Sequence, residues 1–403
     1  MDKISQQADR RAIKSLVAGS VLLLFLGIIY VWAKFVAPVS QHLQWDAASV
    51  KLTANFMLTC FVIGILLSGM LIGKIKASII VLIGGLLLAV GVFLASLTPV
   101  GAPWLIYIFY GILGGTGVGM AYNTILSCAQ QWFPHKRGMA IGISVASFGF
   151  STVIFAPLTA AMCDGLGVVG TFRILAIAFA AVTLALAGLI SKPETVAAPA
   201  AQANTSAGDD QTLAQALRSP NLYILIAMMI FGNAPYLVSN PSFQTMATER
   251  GIGSLGTLMM MIVGVGNALG RFALPAIASK ITARNAALIA TATTALCSLL
   301  LMFAQGIALI PVITLVAFMF GGFSGINPVL TADYFGLKHI GPIYGMVMVG
   351  YMIAALSFPI IFKVLDLTDP PKYLVLAILA GVTILLLFLL RKKETASGKA
   401  GSV

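Results

Sequence analysis

Arg271 is the residue whose chemistry stands out. It lies in "GVGNALGRFALP" (264–275), inside a stretch that is otherwise apolar for more than twenty residues. A guanidinium cannot lose its charge, and its planar fork can donate two parallel hydrogen bonds to one carboxylate. Asn267 precedes it by four residues, one helical turn, so both share a face; the amide can orient the guanidinium or a bound anion but cannot accept a proton. Tyr30, Trp32, Tyr122 and Tyr351 lie in or near other apolar runs. Their polar tips can hydrogen-bond a carboxylate without adding charge, although helix packing explains any single one equally well. No acid is placed to neutralise Arg271: of twelve, six are in tails or a polar linker, five lie at the outer side, and Asp333 ends the tenth apolar run. The missing anion is then a small substrate carrying one negative charge. The alternative is Arg271 held by backbone carbonyls or, through a long reach, by Asp333. A dianion would want a second cation, and Lys34 and Lys363 sit at outer helix ends where snorkelling accounts for them.

The elements that position these residues are membrane spans. The 403-residue chain is 59% hydrophobic and 9% charged, with mean hydropathy +1.01, far outside soluble composition. We read twelve spans, at 16–38, 53–73, 77–97, 102–131, 139–161 and 168–190, then 222–244, 254–279, 285–305, 308–334, 341–363 and 372–390. The first is a retained helix, too long for a signal peptide and without a small-residue cleavage site. With an inside N-terminus, 17 of 24 Lys and Arg fall on the inner side, which puts both termini in the cytoplasm. The net charge of +12 is therefore topology and not a nucleic-acid footprint. Lys280 should mark the inner end of the eighth span, and nine residues at 1.5 Å place Arg271 about 13 Å deeper, near the membrane centre. A central Arg costs roughly 2.5–3.5 kcal/mol, so such residues face a cavity and have a partner.

Residues 191–221, rich in Ala, Pro, Ser and Thr, read as a linker between a first half (1–190) and a second (222–390), with a tail at 391–403. Within the linker, Thr212–Leu217 could form a short helix. Two alignments indicate duplication. "GMLIGKIKAS" (69–78) matches "PAIASKITAR" (275–284), and "QWFPHKRG" (131–138) matches "DYFGLKHIG" (333–341), at equivalent span ends. The first places Gly270 on Gly64 and Arg271 on Ile65, so one half keeps the apolar residue and the other carries the cation. Six-plus-six repeats with a midplane site describe secondary transporters. Cys60, Cys128, Cys163 and Cys297 have no ligand spacing, and His42, His135 and His339 lie in loops, so neither a metal centre, a cofactor nor a catalytic dyad is expected, and the chain is not read as an enzyme. Gly111, Gly114, Gly115, Gly117 and Gly119 read as a close helix-packing face, not a phosphate loop.

"GIIYVWAKFVAPV" (27–39) with "QWDAASV", "YGILGGTGVGMAYNTILSCAQQWFPHKRGMAIGI" (110–143), "NALGRF" and "GGFSGINPVLTADYFGLKHIGPIYG" (321–345) together resemble the oxalate/formate antiporter family. That family is a branch of the major facilitator superfamily related to the monocarboxylate transporters. The resemblance implies an all-α membrane fold of two pseudo-symmetric six-helix halves, alternating access, and a site built from Tyr30, Trp32, Tyr122 and Arg271. There are departures. Tyr351 stands where oxalate-exchanging members carry Lys, Asn267 stands where monocarboxylate transporters carry an acid, and Gly73 and Ser279 degrade the superfamily's loop-two motif. The expectation is a monomeric carrier of lactate-, pyruvate-, formate- or glycolate-type monocarboxylates in a bacterial inner membrane. Oxalate exchange, drug export and a non-transporting organic-acid receptor are the rivals.

Overall fold

The computed structural model describes residues 3–193, 210–367 and 369–391; of residues 3–8, Pro241, Gln244, Pro359 and Lys363 it describes the backbone alone. Among these, helix accounts for nearly every element. The first crossing is one continuous rod, α1 (Lys3–Leu26), a 3-10 stretch (Gly27–Val31) and α2 (Trp32–Leu43). It starts earlier than its apolar run because the basic N-terminal stretch is itself helical. Next come α3 (Ala47–Leu71), begun by the Asp46 side chain accepting from the Ser49 N–H, and α4 (Ala77–Ala95). The fourth crossing is a π-helical stretch (Tyr107–Gly114) leading into α5 (Gly115–Trp132). The fifth and sixth crossings run together as α6 (Arg137–Leu186), broken at Gly167, whose φ of 67° is available to glycine.

In the linker, α7 (Leu213–Ala216) is a single turn with a capping box between Thr212 and Gln215, where a short helix was expected. The second half comprises α8 (Pro220–Ser239), a short α9 (Phe243–Glu249), α10 (Gly256–Ile281), α11 (Ala283–Leu300), α12 (Leu309–Phe335), α13 (Ile340–Val364) and α14 (Pro371–Leu389). Among the described residues, ten helices are long and apolar enough to cross a membrane. Counting α6 as two crossings and the π-helix with α5 as one gives the twelve expected.

Packing repeats across the halves. The pairs α1·α6, α3·α5, α4·α5 and α4·α6 of the first half have counterparts in α8·α13, α10·α12, α11·α12 and α11·α14. The halves meet along α6·α10 and α3·α13, which are equivalent under the same repeat. Glycine makes these crossings close: a methyl group on Gly115 or Gly119 would strike the Met57 or Phe61 carbonyl of α3, and one on Gly117 the Gly84 carbonyl of α4. Gly270 meets the Phe318 carbonyl in the same way. The glycine run of α5 is thus a packing device on two faces. Large apolar side chains such as Ile177, Phe303 and Leu385 stay exposed, as a lipid-facing surface requires.

The start of the first crossing and the end of the last lie at one end of the bundle. There Asn221 and Arg391 exchange side chain to main chain hydrogen bonds, and Ser191 is bonded by Ser15 and by the Trp132 indole. The halves are shut against each other at this end. Gly138 approaches the Pro275 carbonyl, and Arg137 forms an ion pair with Asp333.

Candidate functional site

Arg271 sits mid-helix on α10, 4% exposed, where the α6·α10 crossing faces the first crossing. Its aliphatic stem runs over two glycines. A methyl on Gly149 of α6 would lie 2.7 Å from Arg271 Cδ, and one on Gly321 of α12 would lie 3.2 Å from Cγ. The guanidinium then turns toward the first half. Nε donates to Asn267 Oδ1 at 2.8 Å, as the four-residue spacing predicted. Nη2 donates to the Tyr30 hydroxyl at 3.4 Å, and the cation stands 5.2 Å from the centre of that ring.

Tyr30 is brought there by a change of helix type. The 3-10 stretch Gly27–Val31 interrupts the first crossing, and Gly27 lets the chain approach the Phe148 carbonyl and Ser151 of α6. The Tyr30 ring meets Phe148 edge-on at 5.3 Å; Phe148 in turn contacts Tyr122 of α5 at 4.9 Å, and Tyr122 contacts Phe61 at 5.3 Å. Tyr122 is 4% exposed and Tyr351 of α13 is 8% exposed, and both interact electrostatically with Arg271. Four expected residues, Tyr30, Tyr122, Asn267 and Tyr351, therefore surround the fifth, Arg271.

Trp32 does not join them. Its indole donates to the Val50 carbonyl at 3.0 Å, and its ring packs on Tyr110 at 4.4 Å, so it ties α2 to α3 and the π-helical stretch. The reason is periodicity: residues two apart on a helix do not share a face, so Trp32 turns to Val50 and Tyr110 while Tyr30 turns to Arg271. Lys34 is exposed on α2, and the Lys363 side chain lies outside the described residues.

Two tyrosines escaped the sequence reading. Tyr236, on α8, lies beside Asn267 and Arg271 and stacks on Phe320 at 4.0 Å. Tyr344, on α13, is 3% exposed and lies beside Tyr122. The signal for Tyr344 was present, since it stands seven residues, two turns, before Tyr351 and shares its face. Tyr236 follows Pro235 inside an apolar run and carries no comparable mark.

Among the described residues no carboxylate lies within ion-pair distance of Arg271. Asp333 is taken by Arg137. The chemistry available is thus a permanent cation with Nη donors to spare, ringed by neutral hydroxyl groups, at the seam of two halves. No group of three or more His, Cys, Asp or Glu positioned to hold a metal occurs among the described residues.

A family model described as Major Facilitator Superfamily matches residues 16–359. An uncharacterized MFS-type transporter of Escherichia coli, YhjX, is 24% identical over 348 residues, covering 84% of each chain. The oxalate:formate antiporter of Oxalobacter formigenes is 24% identical over 342 residues, 79% of this chain and 76% of that one. Among solved structures, FucP in the outward conformation superposes with a TM-score of 0.73 at 13% identity, over 94% of this chain and 99% of that one. The antiporter match agrees with the resemblance read from the motifs.

Proposed function

We propose that this chain, which belongs to the Major Facilitator Superfamily, carries small organic monocarboxylates across a bacterial inner membrane by alternating access. Its fold and relatives are those of multi-pass membrane transporters, not enzymes. The observation that carries the finer reading is Arg271, buried at the seam with Asn267 and Tyr30 and with no carboxylate partner among the described residues. A carboxylate entering the cluster supplies the counter-charge. Arg271 receives it through its Nη hydrogens, Asn267 holds Nε and so fixes the fork, and Tyr30, Tyr122 and Tyr351 offer hydroxyl donors. Pairing removes the penalty of an unpartnered cation, so closure around cargo is easier than closure when empty, which favours exchange. The excess of Lys and Arg at the end where the first crossing starts and the last finishes supports a cytoplasmic placement of that end.

The oxalate:formate antiporter among the relatives favours a second reading, dicarboxylate exchange. Against it stands Tyr351, a neutral phenol on the face where a second cation would be needed. Counterflow decides between them. The purified chain in liposomes loaded with unlabelled acid is given labelled lactate, pyruvate, formate, glycolate or oxalate outside. Exchange of monocarboxylates is the expected result; oxalate exchange alone would end the one-cation reading. An imposed proton gradient should leave the rate within about twofold, because Asn267 cannot titrate.

A further inference from the structure

Asn123 of α5 is 1% exposed and follows Tyr122 directly, yet it serves a different surface. Its Nδ2 donates to the Ile65 carbonyl at 3.0 Å, to Ser68 Oγ at 3.0 Å and to the Gly341 carbonyl at 3.2 Å. The first two acceptors belong to α3, in its own half. The third is on the opening turn of α13, in the other half. That turn is seated backbone against backbone. A methyl on Gly69 of α3 would lie 2.6 Å from Pro342 Cα, and one on Gly341 would lie 2.9 Å from Ile72 Cδ1 and 3.4 Å from Ser127 Oγ.

We propose that Asn123 is the positioning residue of the gate at the end where the first crossing starts and the last finishes, seating the first turn of α13 in the groove between α3 and α5. The inference rests on the chain being a transporter whose halves rock, not on which acid it carries. Two amide hydrogens are divided among three acceptors, so the bond that crosses the halves is the longest and the first to yield. Asn123 Oδ1 has no partner among the described residues, and water satisfies it once the seam opens. An uncharged amide with one unused acceptor makes a closure that holds but reopens readily. Nearby, Gln131 Nε2 donates to the Leu337 carbonyl at 3.4 Å, and the Arg137–Asp333 pair reinforces the same closure from a partly exposed position.

The test uses the full chain with Cys60, Cys128, Cys163 and Cys297 replaced by Ala. One reporter is Ser127→Cys, 2% exposed on the seam; the other is Thr183→Cys, buried inside the first half against Gly85. Alkylation by a charged maleimide is timed in detergent solution. Asn123→Ala should speed modification of the Ser127→Cys thiol roughly fivefold, as loss of one net hydrogen bond shifts a two-state equilibrium, with the Thr183→Cys thiol unchanged. An unchanged rate at the seam overturns the proposal. If Asn123→Ala loosens both thiols, Gly69→Ala decides, because it keeps the amide and lifts α13 from its groove: a rise at the seam alone supports the gate, and any other pattern overturns it. Wild-type protein that exchanges no acid while Asn123→Ala still opens the seam would leave the gate standing and remove the monocarboxylate reading.

Discussion

Replacing Arg271 by Gln separates cargo chemistry from architecture. Nε is committed to Asn267 and Nη2 leans toward Tyr30 at 3.4 Å, which leaves the Nη hydrogens to meet a carboxylate end-on. A charge-assisted hydrogen bond contributes about 1.5–3 kcal/mol, and a two-pronged contact in this partly desolvated place about 3–4 kcal/mol in all. The expected loss in kcat/KM for monocarboxylate counterflow is therefore roughly 10²–10³-fold. The fold, in contrast, sheds an uncompensated cation whose burial costs about 2.5–3.5 kcal/mol, so the thermal midpoint in detergent should hold steady or rise. Arg271→Lys keeps the charge but not the fork and should fall between, about tenfold below wild type. Two results would refute the reasoning. Counterflow within threefold of wild type in Arg271→Gln would mean that the guanidinium does not touch cargo. A clearly lowered midpoint would mean that it braces the helices.

Tyr351→Lys introduces a second cation beside the first and should confer oxalate counterflow at the expense of lactate, read in the same liposomes. Gly119→Val drives a branched side chain into the Phe61 carbonyl of α3 and should cost about 3 kcal/mol or more, seen as a lower unfolding temperature. At the end of the second half opposite its linker, burial works against the Asp369 carboxylate, but hydrogen bonds from Lys372, Tyr373 and Arg250 outweigh it and hold its pKa below the ordinary value. Its contribution is full above about pH 4, where an unfolded Asp ionises, and fades as pH falls through the lower folded value. Acid unfolding should therefore begin at higher pH in Arg250→Ala, and Asp369→Asn should flatten the dependence in that acid window.

The spans were legible because lipid demands long apolar helices, and the charge bias and the repeats follow from the same constraint. Their ends were not. The first crossing extends through Arg10, Arg11 and Lys14, since a polar stretch continues a helix into the headgroup region at little cost. Arg271 and Asn267 were legible as a pair because one turn separates them and no other charge competes at that depth. Trp32 shows the opposite case. Its type suited the site, but its two-residue offset from Tyr30 turns it to another face of the helix, where Val50 and Tyr110 use it for packing. Tyr236 and Tyr344 reach the cluster only through the folding of the second half around α12. The glycines at 149 and 321, which give the Arg271 stem its room, have no signature apart from the many other glycines of the chain.

The two seams, α6·α10 and α3·α13, are related by the repeat, yet one bears Arg271 and the other Ile65. A carrier built this way is electrically lopsided. If the cargo is the proposed monoanion, the loaded centre would be neutral and the membrane voltage would have nothing to grip. Empty, it drags one positive charge through part of the field, and a whole charge crossing the whole field is worth about 2.3 kcal/mol per 100 mV. Voltage would thus act on the unladen stroke alone, aiding it in one direction and opposing it in the other.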